Sequence, residues 1–556
     1  MKTKLLLLAG IACLLSVTAT AQGILGGHVT GNVQLDAQVS HRDSVIGADD
    51  VPEQLLMNAR ADILYTNGDF SAGLRFEMYQ NPMLGFDPQY KGQGLANYFV
   101  AYNGEWLSVT AGNFYEQFGS GMILRTYEDR YLGLDNSLLG LNLTFRPWQG
   151  VTIKALAGRQ RIFWDYGEGI VRGLDGEVNF NSIIKAMQDS KFRATLGASF
   201  VSKYEPDETI ISANDPEYRL NLPLNVGAAA VRADLGYGGF SLQTEYVRKG
   251  QDPSALNEYI YHQGEALLVD LSYSQRGFSA SLQGKRIDNM GYKSVRSQSG
   301  EMLFINYLPA ITKNHTYAFL TMYPYATQVN GEQGLQGDVM YKFKKGTFIG
   351  GEYGMDLHVN SSVVATLNTD SIGSRGTEGY TVNSGIGELF YGDVSVELAR
   401  KLSKTMKLNV TYAYQVFNPD AEGHSGRELV HNNIVIADLS WKLNKKHSLR
   451  FEAEWMGSDS RYDAADAHLA DRRYGDWIMG LVEWNIGTHW FVSASDQYAY
   501  HDGIGNYYNL SVGYTHGATR LQLGYGKQRE GLLCIGGVCR PVPASNGLTF
   551  SLTTSF

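Results

Sequence analysis

The feature of this sequence that most constrains its fold is a regular alternation of short and long connections between strands. The stretches 240–246, 408–414 and 449–455 alternate apolar and polar side chains with a period of two, as expected for strands with one apolar face. The connections between such stretches are Gly- or Asn-containing tight turns and longer polar segments, in turn. The tight turns lie at 67–69, 103–105, 147–150, 237–239, 275–277, 344–346, 402–404, 444–446, 486–488 and 516–518, and the longer segments at 41–54, 82–94, 204–224, 359–387, 419–431, 457–476 and 530–546.

This alternation predicts an all-β fold, a single large transmembrane antiparallel β-barrel with short periplasmic turns and long extracellular loops. Pairing strands across the turns gives about 24 strands, with a range of 22–26, and puts both termini on the periplasmic side. Residues 182–191 could form a helical turn. Residues 290–333 either fold inward or add a strand pair at 301–308 and 316–325. A soluble β-propeller or β-sandwich array is the alternative all-β fold.

The N-terminus predicts export. Lys2 and Lys4 precede an apolar run that ends in Ala-Thr-Ala, which predicts a signal peptide at 1–21 and a mature domain at 22–556. A lipoprotein signal ending at Cys13 is the alternative. After the signal, no apolar run approaches the roughly 20 residues that a membrane helix needs.

The last ten residues, 547–556, alternate apolar and polar side chains and end on Phe556. This stretch resembles the C-terminal signature strand of Gram-negative outer-membrane barrels. The resemblance implies that Phe556 lies in the aromatic belt and serves as the insertion signal. The implied partners are outer-membrane lipid and the barrel-insertion machinery.

Two internal stretches, 112–125 and 306–315, resemble a family of outer-membrane barrels of the Bacteroidota type that is carried as a domain of unknown function. The resemblance implies a barrel in the cell outer membrane but no activity, and it transfers no functional residues. Because strands begin near His28, we expect no room for the plug domain of a TonB-dependent receptor.

The polar side of each predicted strand supplies candidate lumen-lining residues, because a water-filled interior solvates charge. Acids outnumber bases among them, which would give a weak cation preference, whereas mixed charge pairs would instead brace neighbouring strands. The candidates are Arg232, Asp234, Glu245, Asp270, Lys285, Asp338, Lys342, Glu352, Asp393, Glu397, Arg450, Glu452, Glu454 and Arg520.

Two segments are candidates to fill the lumen, since very wide barrels usually contain something inside. Residues 116–136 combine the apolar run 122–124 with charged side chains, a mixture that fits a segment folded inward onto a charged wall. Residues 290–333 are unusually apolar for an external loop. The charged plug-loop candidates are Arg125, Glu128, Asp129 and Arg130.

Cys534 and Cys539 flank a Gly-Gly turn in an exported chain and predict a disulfide that stiffens a surface loop. The aspartates in 459–476 do not match the ligand order of a calcium loop, and arginines lie among them, so we expect a solvated surface loop. We expect no cofactor and no metal site.

Catalytic and nucleic-acid-binding functions are not expected. The twelve histidines and the many serines form no spacing that selects a catalytic set. The net charge of -9 is spread along the chain, which argues against nucleic acid as a partner.

The leading functional hypothesis is an outer-membrane channel or transporter for hydrophilic solutes or an exported polymer, occluded by inward-folded loops. The alternative is a surface binding or scaffold barrel that anchors a partner lipoprotein or ligand without conducting.

Overall fold

The computed structural model describes residues 22–24, 26–212, 217–424, 426–466, 468–500, 505–535 and 538–556. The predicted signal peptide, residues 1–21, lies outside the described residues. No helix in the described part of the chain is long and apolar enough to cross a membrane.

The described chain forms one antiparallel sheet whose strands follow one another in chain order. Each strand is hydrogen-bonded to the strands before and after it, and a three-residue strand, Gln22–Ile24, adds a short pairing to the first. The barrel strands are β1 (Gly27–Ser40), β2 (Leu56–Asn67), β3 (Phe70–Asn81), β4 (Gly92–Asn103), β5 (Leu107–Phe114), β6 (Leu138–Trp148), β7 (Val151–Ile162), β8 (Asp165–Asn179), β9 (Phe192–Tyr204), β10 (Asn225–Tyr237), β11 (Phe240–Lys249), β12 (Gly264–Gln275), β13 (Phe278–Asp288), β14 (Gly331–Phe343), β15 (Met355–Ser371), β16 (Tyr380–Lys401), β17 (Met406–Phe417), β18 (Val430–Lys442), β19 (His447–Ser458), β20 (Trp477–Ile486), β21 (Trp490–Ala499), β22 (Asn506–His516), β23 (Thr519–Gln528) and β24 (Ser545–Ser555).

The sheet closes on itself because β24 pairs with β1, from Asn32 opposite Ser555 to Ser40 opposite Gly547. Closure leaves no strand edge with unpaired backbone groups, which is the condition for a sheet to span hydrocarbon. Phe556 continues the pairing through two backbone hydrogen bonds with Gly31, of 2.9 and 3.0 Å. The predicted transmembrane antiparallel barrel of about 24 strands is therefore confirmed.

The two ends of the barrel differ in the length of their connections. Nine of the ten predicted tight turns join two consecutive strands directly at one end, which we call the turn rim, and the tenth, 344–346, is the start of the longer connection 344–354 at the same end. The connection from β8 to β9, also at this end, contains the short helix Phe180–Ile183 and a 3-10 turn at Lys185–Met187, so the expected helical turn is present. The other end, the loop rim, carries most of the longer connections, although 163–164 joins β7 to β8 directly.

The structure corrects the expectation for one long segment and decides between the two alternatives for another. Residues 359–387 were expected to be a loop, but β15 and β16 extend through most of this range and leave only 372–379 between them. This pair carries several register shifts and projects past its neighbours, since β16 pairs with β17 only from Tyr391 onward. Residues 289–330 contain no strand of the sheet, so the barrel has 24 strands and not 26.

The outer face of the barrel is apolar. Successive strands expose Val or Leu side chains at mid-height, and aromatic side chains lie nearer both rims, an arrangement suited to a bilayer core between two interfaces. Examples of the mid-height residues are Leu74, Val100, Leu141, Leu174, Val231, Leu271, Leu282, Leu335, Val435, Val482, Leu510 and Leu523, and examples of the aromatic ones are Phe70, Trp106, Trp148, Tyr237, Phe240, Trp484 and Trp490 near the turn rim, with Tyr246, Tyr414, Trp455 and Tyr498 nearer the loop rim.

Most of the buried apolar residues lie inside the barrel, and some lie in the connections at the loop rim. They form two clusters, in which side chains of the inner wall pack against residues of two long connections, 115–137 and 289–330. We call these connections the first insert and the second insert. The candidate functional site is therefore the interior of the barrel.

Candidate functional site

The first insert enters the lumen on an apolar strip. Phe118, Met122, Ile123 and Leu124 are completely buried, and they pack in one cluster with inner-wall side chains such as Val247. Two short strands within the insert, Gln117–Phe118 and Leu124–Arg125, pair with each other and hold the strip in place. Inner-wall positions that are apolar at this height give the insert a surface on which to fold, because burying such side chains releases water from both surfaces.

The charged part of the first insert contacts charged and polar side chains of the inner wall. Glu128 pairs with Arg60 and lies 3.3 Å from Arg75, both on the inner face of the barrel. Arg130 donates to Gln34 at 2.9 Å, and the Asp129 carboxylate accepts two backbone N–H groups that follow it in the chain. The plug-loop candidates Glu128 and Arg130 thus contact the wall, while Asp129 closes a local turn.

A buried ion-pair network lies beside this insert, and the sequence analysis did not predict it. Arg161 on β7 lies 2.6 Å from both Glu77 on β3 and Asp135 of the insert, and Arg75 lies 3.2 Å from Asp135. Arg75 also pairs with Asp62 at 2.7 Å. The sequence did contain a signal for this network. On each side of the tight turn at 67–69 there are charged residues two positions apart, and such residues lie on the same face of a strand.

The second insert is clamped by one fully buried ion pair. Lys285 on β13 and Glu332 on β14 lie 2.6 Å apart, and neither side chain is exposed. Lys285 also donates to the Pro309 carbonyl at 2.5 Å. The Glu332 carboxylate accepts from the Tyr325 hydroxyl and from the backbone N–H of Gln328, both at 2.7 Å. The pair therefore fixes the middle and the end of the insert at once.

Further along, the second insert follows the inner wall from β14 to β19. Lys313 pairs with Glu397, and His315 lies 3.2 Å from Asp393. The Glu454 carboxylate accepts the backbone N–H groups of residues 318 and 319 at 3.0 and 2.8 Å. The candidate Asp338 lies 2.6 Å from His358, which is itself 3.4 Å from the Lys313 amine. Five of the candidate residues thus hold this insert directly or through one neighbour: Lys285, Asp338, Asp393, Glu397 and Glu454.

The other candidate residues are spread along the wall. Arg450 pairs with Glu452 and lies 3.1 Å from Asp438. Lys342 pairs at 2.8 Å with Asp356 and both are largely exposed near the turn rim, and Arg520 lies 5.3 Å from the Phe491 ring.

The prediction that Glu352 lies on the inner face of a strand is wrong. Glu352 lies in the connection between β14 and β15. Gly351 and Gly354 on either side of it adopt φ angles of 59° and 86°. Such angles interrupt an extended strand.

Three large cavities in the described part of the chain lie in and above the lumen. A vestibule of about 930 Å³ at the loop rim is lined by loop residues only, including Phe86, Arg427 and Arg473. An upper cavity of about 1000 Å³ lies between the second insert and the wall at β21–β23. A lower cavity of about 450 Å³ lies towards the turn rim and contains four of the candidate residues, Arg232, Asp234, Glu245 and Asp270.

Neighbouring cavities share lining residues, which form part of the partition between them. Ser120 of the first insert lines both the upper and the lower cavity. Its backbone N–H donates to the Glu245 carboxylate at 2.7 Å. Gly119, with φ +53°, packs against the same carboxylate, and a Cβ atom there would lie 2.6 Å from a carboxylate oxygen. Glu245 on β11 therefore holds the partition between the two cavities.

The second partition is the last long connection. The strands Gly531–Ile535 and Val538–Val542 form a hairpin whose residues line the vestibule and the upper cavity, Leu532 and Val542 lining both. Cys534 and Cys539 are paired in a disulfide across it, with Cα atoms 4.1 Å apart. We call it the C-terminal hairpin; the expected disulfide is present, and the hairpin lines cavities in and above the lumen.

Asp471 at the loop rim and Lys293 in the second insert have shifted pKa values. Burial raises the pKa of Asp471, but the charge and hydrogen bonds of Arg473 outweigh it and leave the pKa below its ordinary value. Arg473 also lies 2.6 Å from Glu422. In the second insert, burial lowers the pKa of the Lys293 amine to about 8, opposed in part by the charge of Glu301.

Metal ligation has no support in the described ranges. No group of three or more His, Cys, Asp or Glu side chains there is arranged to hold a metal ion.

Several solved structures are similar to this chain. A mutant of the ferric enterobactin receptor from Pseudomonas aeruginosa is 11% identical, with 95% of this chain and 80% of that chain covered and a TM-score of 0.43. The siderophore receptor PirA from the same organism is 10% identical over 95% and 80%, with a TM-score of 0.41. The outer membrane protein opdK, also from Pseudomonas aeruginosa, is 14% identical over 70% and 93%, with a TM-score of 0.36.

No curated protein matches the sequence significantly. One family model does match, over residues 1–556, and its description assigns no function. The chain belongs to the family of unknown function DUF6029.

Proposed function

We propose that this protein is an outer-membrane channel or transporter for hydrophilic solutes, or for an exported polymer, and that its route is closed in the ground state. The observation that carries the proposal is the series of three cavities from loop rim to turn rim, in which neighbouring cavities share lining residues: the C-terminal hairpin lines the first and second, and Ser120 lines the second and third. A barrel used only as an anchor needs no such series.

The apolar outer face supports a membrane location. Side chains such as Val100 and Val231 are more than half exposed on that face. Such exposure is costly in water and favourable in lipid. In this proposal the loop rim faces the cell exterior and the turn rim faces the periplasm. The barrel-insertion machinery would recognise the last strand and Phe556.

The interior charges support a hydrophilic cargo. The lower cavity is lined by five carboxylates and two basic groups, all on the wall strands β7 to β12. Lining charges in a narrow passage select solutes by sign and size. An apolar solute would gain nothing from such a route.

Single-channel recording in a planar bilayer tests the proposal, with the intact protein compared with a variant whose residues 116–136 are shortened. A silent intact protein and a conducting variant would support an occluded route. Steady conductance of the intact protein would support an open pore instead. The matched control shortens 372–379, which lies outside the lumen. Heat-modifiable gel mobility checks that every variant is folded.

A second candidate function is supported by the projecting pair β15 and β16. Their outer part extends beyond both neighbouring strands, and Ile386 there is 77% exposed. Such a surface suits a partner, for example a lipoprotein, on a barrel that does not conduct. If the intact protein and the 116–136 variant are both folded and silent, this function replaces the channel. Trimming 366–390 would then abolish partner binding.

A further inference from the structure

The upper cavity is unusual in the balance of its charges. Arg125, Lys313, Lys527 and Arg529 line it, together with His315, while Glu530 is the one carboxylate among its lining residues in the described chain. The lower cavity has the opposite balance. The two sides of the Ser120 partition therefore present different charge to a solute.

Two of these cations are already neutralised by the protein. Lys313 pairs with Glu397, and the Lys527 amine lies 2.7 Å from the Asp43 carboxylate. A paired lysine contributes little to the field in the cavity, because its charge is cancelled at short range.

The two guanidinium groups differ from the lysines. Within the described residues, no carboxylate lies at ion-pair distance from Arg125 or Arg529. Arg125 lies 4.0 Å from the centre of the Tyr307 ring, which holds it at the cavity wall. The Nε and Nη1 atoms of Arg529 are buried and have no hydrogen-bond partner in the described structure, while the residue as a whole is partly exposed and lines the cavity. Its guanidinium carbon lies 6.0 Å from the centre of the Trp477 ring.

An unpaired buried guanidinium is unfavourable in a ligand-free protein, since its charge loses hydration without gaining a partner. Burial and the positive charge of Arg473 lower the pKa of Arg529, which reflects the same cost. A fold that keeps this group at a cavity wall gains stability when an anion enters. The planar guanidinium donates two parallel hydrogen bonds to a carboxylate or a phosphate.

We propose that the upper cavity is a binding site for a hydrophilic solute that carries a carboxylate or phosphate group, with Arg529 as its principal anion contact and Arg125 as a second. The rest of the lining suits a hydroxyl-rich solute, since Ser495, Gln497 and Asn509 offer hydrogen-bonding groups beside aromatic rings. This deepens the proposed function, on which it rests, by naming the class of solute.

Isothermal titration calorimetry on the detergent-purified protein tests the proposal with three sugars of similar size: glucuronic acid, glucose 6-phosphate and glucose. We expect at least one acidic sugar to bind about tenfold or more tighter than glucose, and Arg529→Gln to remove that difference. Binding of glucuronic acid alone would identify a carboxylate, and binding of glucose 6-phosphate alone a phosphate. Equal binding of all three sugars, or no binding, would overturn the proposal.

A structural role for Arg529 is separated by a second measurement. Because the group is unpaired, Arg529→Gln should leave the thermal midpoint of the ligand-free protein unchanged or raise it. A lower midpoint would indicate that Arg529 holds the fold, and the loss of binding would then be indirect. Lys342→Gln, which alters an exposed pair near the turn rim, is the matched control and should change neither readout.

Failure of this inference and failure of the channel proposal are distinguishable. Equilibrium binding does not require conduction, so a silent barrel that binds an acidic sugar through Arg529 keeps the site and loses the channel. A conducting barrel with no preference for acidic sugars keeps the channel and loses the site.

Discussion

The backbone N–H of Ser120 donates to the carboxylate of Glu245 at 2.7 Å, and this bond joins a lumen insert to the barrel wall across 125 residues of sequence. Glu245 is 4% exposed, so water competes little for the bond. Because Ser120 lines the cavities on both sides, the bond holds closed the partition between them.

Glu245→Ala should therefore open the passage between the upper and lower cavities. Losing the acceptor leaves a buried N–H unpaired, at a cost of about 1–3 kcal/mol, which raises the open population by about 5-fold to 150-fold. We expect frequent brief openings in single-channel records. Glu245→Gln keeps an acceptor and Asp270→Asn changes charge in the same cavity without touching Ser120, so both should remain closed. Equal silence of the folded Glu245→Ala protein would contradict this role.

Lys285→Met should destabilise the protein, because it leaves the Glu332 carboxylate buried without its cation. Breaking a buried pair from one side costs about 3–5 kcal/mol. The free energy of unfolding, measured with urea in lipid vesicles, reports the loss. The double variant with Glu332→Gln should recover part of it. Lys342→Met, at an exposed pair, should cost no more than about 1 kcal/mol. A Lys285→Met effect no larger than that control would show that the clamp is unimportant.

Stability of the second insert should rise between pH 8 and 10.5. Lys293 is 1% exposed, and burial lowers its pKa to about 8 from an ordinary 10.5. Between these values the unfolded chain binds more protons than the folded one, so the free energy of unfolding increases with pH, by up to about 3 kcal/mol. Below pH 8 both states are protonated and the cost of the buried charge is fully present.

Urea unfolding at several pH values, compared between the protein and Lys293→Met, isolates this effect. The rise should be present in the first and absent in the second. Parallel pH profiles would show that the Lys293 amine titrates as it does in the unfolded chain.

Val231→Arg should destabilise the barrel by about 2–4 kcal/mol, the cost of arginine on the lipid face near the bilayer centre. Val231 is 57% exposed on the outer face, next to the inward-facing Arg232. Gln243→Arg, on the inner face of β11 in the lower cavity, is the control and should have a small effect. Unfolding in lipid vesicles measures both. Equal effects would argue against a lipid-facing belt at this position.

The strands and turns were predictable because they depend on neighbouring residues. Alternation in 449–455 and the turn residues at 67–69 act within a few positions, and the structure confirms both. The same reasoning failed for 359–387, where polar strands continue past the apolar belt and lose the one-sided pattern. It also failed at Glu352, where two glycines turn the chain within a stretch that otherwise alternates.

The candidate site was predictable only in part. The apolar run 122–124 indicated burial, but not which wall residues would cover it. Alternation identifies lumen candidates within each strand separately. Asp393 and Glu454 lie on different strands and both contact the second insert, which depends on the path of the insert through the lumen. Arg529 gave no local signal, because the lack of a carboxylate at ion-pair distance among the described residues depends on how distant segments pack around it.

The sequence by itself determined the class of fold, nine of the ten predicted tight turns and the alternation of apolar and polar faces, because these follow from side-chain periodicity and turn chemistry over short distances. Only the tertiary structure decided that 289–330 enters the lumen instead of adding strands, and that Glu245 meets Ser120. Such contacts depend on where each strand lies around a closed circumference, and that position is set by the pairing of all the strands between them.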